Sequence, residues 1–191
     1  MRVVHLRQRF ACLTVLAGAL CLSPMALAVD VLSVTVTNTP ISLGKIVRSN
    51  SGATAFTVTN AGAVSVASGS GVRVTSGAVN VLSLSLDCVQ SGGTSKCSRT
   101  NSGVTKNYRF TITAGATTGG DTLNKFSYGS LTSGTLIGSA PTAANPLIVN
   151  FNRVSGQTWP ITLTLGYEFG VSATATRGAA TAPYTITLTE Y

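Results

Sequence analysis

Charge is scarce in this 191-residue chain: Asp, Glu, Lys and Arg together make up 9% of it, and only five residues are acidic. Histidine occurs once, at position 5, and tryptophan once, at position 159. No apolar run approaches the ~20 residues a helix needs to cross a bilayer; the mostly apolar stretch 11–22 has 12. High charge with low hydrophobicity keeps a chain disordered, so 44% apolar residues with so little charge exclude disorder. One globular domain is the expectation for a chain of this length.

The start of the chain is set apart. Arg2, Arg7 and Arg9 precede the apolar stretch, and Ala26-Leu27-Ala28 puts small side chains at the two positions a signal peptidase reads. Residues 1–28 are therefore read as a secretory signal peptide, with no transmembrane segment after its cleavage. A lipoprotein signal needs a small residue before its cysteine, whereas Cys21 follows Leu20. Cleavage after Ala28 leaves 163 residues beginning at Val29 and removes His5, Met1, Met25, Cys12 and Cys21. Lys plus Arg falls from 13 to 10 against five acids, and net charge from +8 to +5.

A mature chain without histidine cannot build a Ser-His-Asp or Cys-His constellation, an imidazole base or a His-containing zinc site. The carboxylates Asp30, Asp87, Asp121, Glu168 and Glu190 are scattered at spacings that pair none of them on one element, and each is expected on the solvated surface. No nucleophile elbow and no phosphate-binding glycine loop occurs. Ser42-Leu43-Gly44-Lys45 matches S-x-x-K, but the S-D-N and K-T-G elements of enzymes that use it are missing, so a strand end turned by Gly44 is the better reading. The expectation is a non-enzymatic protein with no cofactor and no metal.

Cys88 and Cys97 are the two cysteines left, with eight residues between them in an exported chain, and read as one disulfide across a polar, Gly-rich loop. Closing so short a loop contributes roughly 2.5 to 3 kcal/mol by the chain-entropy relation. The ten basic residues are spread without a cluster and export separates them from nucleic acid, so no nucleic-acid partner is expected.

What the chain has in abundance is period-two alternation of Val, Leu, Ile, Tyr and Phe with Ser and Thr, the pattern of half-buried strands, and no helical period. Phe56 and Val58; Leu82, Leu84 and Leu86; Tyr108, Phe110 and Ile112; Leu147, Val149 and Phe151; Ile161 through Phe169; and Tyr184, Ile186 and Leu188 each mark a strand. Val64 and Val66 face Val72 and Val74 across Ser68-Gly69-Ser70-Gly71, a predicted hairpin. The stretch 127–145 is less regular and reads as a long surface loop. Many short strands with Gly, Ser, Asn and Pro between them predict an all-β sandwich or barrel. Against a transmembrane barrel, the positions in phase with Tyr191 are Thr189, Thr187 and Thr185 rather than apolar residues.

Ile41-Ser42-Leu43-Gly44-Lys45-Ile46, the segment 52–66 with Thr57-Val58-Thr59 ahead of Gly62, and the ending from Tyr184 to Tyr191 resemble the bacterial secreted family called domain of unknown function 4402. The likeness covers both ends of the mature chain but not the middle. A related likeness is to chaperone-usher pilus subunits, including the spore-coat-U type: Gly178 is fourteenth from the end, an alternating strand follows, and Tyr191 closes it. What these resemblances imply is an immunoglobulin-like, pilin-like β-sandwich at residues 41–191. Their implied role is a fimbrial-type structural or adhesion subunit in the periplasm, at the cell surface or outside a Gram-negative-type bacterium. The implied partners are further copies, other surface subunits and a periplasmic chaperone.

The alternative is a monomeric binding module for an envelope or glycan ligand, for which Trp159 is the one mature indole, though its place before Pro160 favours packing. Residues 29–40 form an N-terminal extension in which Leu32, Val34 and Val36 share one face. Such a strand pairs within its own sandwich or adds to a neighbour's open edge as a donor strand.

Overall fold

The computed structural model of the chain describes residues 30–37, 41–74, 79–90, 105–116, 119–153, 158–175 and 181–191. The expected signal peptide, Cys97 and Gly178 lie outside the described residues. Fourteen strands occur among the described residues, and no helix: β1 (Asp30–Thr37), β2 (Ile41–Ser42), β3 (Lys45–Val47), β4 (Thr54–Val58), β5 (Val64–Ser68), β6 (Val72–Val74), β7 (Leu82–Gln90), β8 (Lys106–Ala114), β9 (Asp121–Thr132), β10 (Thr135–Leu136), β11 (Leu147–Arg153), β12 (Ile161–Val171), β13 (Thr181–Ala182) and β14 (Tyr184–Glu190). No helix among the described residues is therefore long and apolar enough to cross a membrane.

Every strand pair is antiparallel, and β12 organises the larger sheet. One of its edges runs along β9; the other is shared, Ile161 to Leu165 pairing with β7 and Tyr167 to Val171 with β4. The end of β4 and the start of β7 thus meet at neighbouring positions of β12, and the segment between them is an excursion from one interrupted strand. Beyond that strand lie β1, on β7, and β5, on β4. The second sheet has the order β10-β11-β8-β14, and two short ribbons, β13-β2 and β3-β6, complete the structure.

One core joins the two main sheets. Leu82, Leu84, Leu86, Leu163, Leu165, Phe56 and Phe169 from the first and Phe110, Ile112, Val149 and Phe151 from the second belong to the same buried cluster. Alternation is the reason: in β4, β7 and β11 every second side chain is buried, apolar except for Thr54 and Arg153 at two strand ends, while the intervening residues, mostly Ser, Thr and Asn, face out. Each such Leu or Phe withdrawn from water contributes about 1.5–3 kcal/mol. Phe151 stacks on Phe110 and Tyr108 at centroid distances of 5.3 and 5.6 Å. The architecture is all-β, two main sheets about one core, consistent with a sandwich.

Two local expectations are corrected. The hairpin predicted between Val64/Val66 and Val72/Val74 does not form: β5 pairs with β4 and β6 with β3. The reversal instead lies at Thr59 to Ala63, where Gly62 (φ 83°) donates its N–H to the Thr59 carbonyl at 3.0 Å. The Ser-Gly-Ser-Gly linker lies over the start of β4, Gly71 N–H donating to Thr54 Oγ1 at 2.8 Å, and so delivers β6 to another partner. The loop expected at 127–145 begins as strand: β9 runs to Thr132 and β10 follows at Thr135–Leu136, while 137–145 is irregular apart from the bridge of Ala144 back to Phe126. Its alternation is broken by two register shifts against β12, each with one extra residue on β9, Asn124 and Gly129. A bulge of this kind hides a strand from a period-two reading.

Candidate functional site

The first and last strands described are both edge strands. β1 pairs over its whole length with β7, Asp30 opposite Gln90 through Thr37 opposite Ser83, and Thr37 Oγ1 adds a bond to the Ser83 carbonyl at 3.1 Å. Leu32, Val34 and Val36 stand opposite the buried Cys88, Leu86 and Leu84. They pack against the core yet stay only half-buried, because β1 has a strand on one side alone among the described residues. The strand proposed as a donor is thus paired within its own chain.

β14 ends the second sheet in the same way. Tyr184, Ile186 and Leu188 lie opposite Ala114, Ile112 and Phe110 of β8 and are half-buried, while Thr185, Thr187 and Thr189 face solvent. Tyr184 meets Phe126 edge-on at 6.2 Å. Burial of its hydroxyl, which has no hydrogen-bond partner among the described residues, pushes its pKa up to about 12. Tyr191, 55% exposed, is latched onto the sheet: its N–H donates to the Asn107 carbonyl at 3.1 Å, and the Arg109 guanidinium lies 5.2 Å from its ring centroid. Lys106 and Glu190 add an ion pair at 3.1 Å, which at such exposure contributes little. Nothing in the alternation of the last strand signals this latch.

Cys88 is 3% exposed on β7, opposite Leu32. Ser42 and Lys45 stand either side of Gly44, whose φ of 75° turns β2 into β3 and whose N–H donates to Ser42 Oγ at 3.1 Å. Trp159 is half-buried against the core, with Arg153 4.6 Å above its ring. Arg153 itself is 7% exposed, and desolvation lowers its pKa.

The carboxylates are not uniformly on the solvated surface. Asp121 is only 9% exposed, and burial raises its pKa against a backbone hydrogen bond from Thr181 that lowers it. Glu168 is held below the ordinary carboxylate range by hydrogen bonds from Asn124 and Lys125, the Lys125 ammonium lying 2.9 Å away. Among the described residues no group of three or more His, Cys, Asp or Glu is placed to hold a metal ion. No protein-family profile, no curated protein and no solved structure matches the chain.

Proposed function

We propose that the chain is a secreted, non-enzymatic surface protein, a fimbrial-type structural or adhesion subunit whose copies join by β-strand addition. In this reading it has an immunoglobulin-like, pilin-like sandwich stapled by a Cys88–Cys97 disulfide, and a periplasmic chaperone guards the subunit before assembly. The observation that carries it is the placement of β1: an edge strand with an eight-residue register and a half-covered apolar face, joined to the rest of the sandwich through the three residues 38–40. If β1 leaves β7, the β1 of a second copy restores the same hydrogen bonds and the same contacts of Leu32, Val34 and Val36, so exchange costs little at equilibrium. Because donor and acceptor edges differ, the contact is head-to-tail and propagates.

A second reading, a monomeric secreted binding module for an envelope or glycan ligand, is favoured by that same full register of β1 within one chain.

Incubating the mature chain, from Val29, with a labelled peptide of sequence 30–37 separates the two. The subunit reading expects slow uptake of the peptide at the β7 edge and concentration-dependent ladders on light-scattering chromatography. A chain that stays monomeric at high concentration and never exchanges the peptide is the free module.

A further inference from the structure

The outer face of the larger sheet carries a depression of about 300 Å³. Its floor follows from register: Ser68, Ala55, Gly170 and Thr122 lie in one row across β5, β4, β12 and β9. The two central strands thus contribute only a methyl group and a hydrogen, between hydroxyls at either end. Gly170 is required there, since a Cβ would come within 2.5 Å of Thr122 Oγ1 and 3.0 Å of Asn124 Oδ1.

The wall is built by the bulge of β9. Lys125 is the register partner of Glu168 and Leu123 that of Phe169, so Asn124 is the extra residue, and both Asn124 and Lys125 reach Glu168. The result is a chain of fixed groups: Thr122 Oγ1–H donates to Asn124 Oδ1 at 2.9 Å, Asn124 Nδ2 to Glu168 Oε1 at 3.0 Å, and Lys125 Nζ to Glu168 Oε2 at 2.9 Å. Ser172, on the rim, is held by Thr174 at 2.9 Å. Bulges often re-aim side chains beside functional sites.

The set has a defined chemistry. Lys125 balances the charge of Glu168, so the depression offers no net charge to an ion. It keeps unused carboxylate lone pairs on Glu168, a second N–H on Asn124 and lone pairs on Thr122, a mixture of donors and acceptors on neighbouring atoms. A sugar hydroxyl, which donates and accepts at once, suits such a mixture, and the depression is large enough to admit one pyranose ring.

We propose that this depression binds a neutral monosaccharide unit of a glycan, Glu168 and Asn124 holding two adjacent hydroxyls and Gly170 forming the floor. The proposal is independent of strand exchange, and either assembly state can carry it. Without an aromatic ring in the lining to stack on the sugar, single-site binding is expected to be weak, and an array of copies would raise it by avidity.

The test is a titration of the 15N-labelled mature chain with glucose, galactose, mannose and N-acetylglucosamine, with galacturonate as the anionic control. The expected result is saturable shifts of the Thr122, Asn124, Glu168, Gly170 and Ser172 amides with at least one neutral sugar. They should weaken about tenfold or more in Glu168→Gln, since a hydrogen bond to a charged group is lost. Ala55→Leu, which fills the depression from its floor and leaves the polar chain intact, should abolish them, while Thr187→Ala on the other sheet leaves them unchanged. Absence of these shifts with all four sugars, their persistence in Ala55→Leu, or equal binding of galacturonate overturns the proposal.

Discussion

At the scale of single residues, Glu168 ties the larger sheet to pH. Its carboxylate is favoured in the folded state by Asn124 and Lys125, so its folded pKa lies below the ordinary 4.5. The stabilisation is complete above 4.5 and is lost as pH falls through the lower folded value. Glu168→Gln should therefore cost about 0.5–1 kcal/mol at neutral pH, with the difference vanishing in acid. Thermal melts of both proteins across that range check it. Asp121 has the opposite sign: burial raises its folded pKa above 3.8, so the charged form strains the fold at neutral pH. Asp121→Asn should then stabilise the protein, with the gain fading as pH falls below 3.8 in the same melts. Gly69 combines a φ of +87° with a Cβ position 2.5 Å from the Ala53 carbonyl oxygen. Gly69→Ala should cost roughly 1–3 kcal/mol, measured by denaturant unfolding.

At the scale of elements, β11 separates the two faces of a strand in one experiment. Phe151 is inaccessible between Phe110 and Tyr108, whereas Ile148 on the same strand is 43% exposed. Phe151→Ala should cost about 3–5 kcal/mol, and Ile148→Ala about 0.5 kcal/mol or less. Equal losses in urea would mean that the face assignment is wrong. The period-two reading found β4, β7, β8, β11, β12 and β14 because their core-facing apolar residues recur at every second position, although in β12 the outward Gly166 and Gly170 are buried as well. It missed the extent of β9 because Leu123 and Phe126, both buried, are three residues apart and Asn124 is absorbed by a bulge. That three-residue spacing is the signal that would have found both the strand and the wall of the depression.

At the scale of the whole molecule, the reading as an exported subunit makes a covalent statement: the isolated protein begins at Val29 with Cys88 and Cys97 joined. Intact mass before and after reduction tests both, and reduction should lower stability by about 2–3 kcal/mol. Two thiols that alkylate in the native protein would refute the bond. Charge placed on the core-facing side of β1 is a second lever. Replacing Leu32 and Val34 by Asp sets two carboxylates on the half-buried, core-facing side of β1, opposite Cys88 and Leu86, so the double variant should lose both strand exchange and part of its stability. Peptide uptake, followed with the folded wild-type chain, isolates the first effect from the second.

Sequence alone determined what depends on near neighbours: strands rather than helices, which face of each is apolar, the absence of imidazole chemistry after residue 28, and the turn at Gly44. Side-chain alternation along an extended backbone is a local property, readable a few residues at a time. Tertiary structure decided which edges meet. β5 pairs with β4 and β6 with β3 although Ser-Gly-Ser-Gly joins them, and the linker is held over β4 by the Gly71 N–H donating to Thr54 Oγ1. Likewise Asn124 and Lys125 reach Glu168, more than forty residues away, through a register that no local pattern contains. Strand pairing is a choice among distant partners, settled by how all the apolar faces can be buried at once, and this is why the depression on the larger sheet emerges only when the chain is folded.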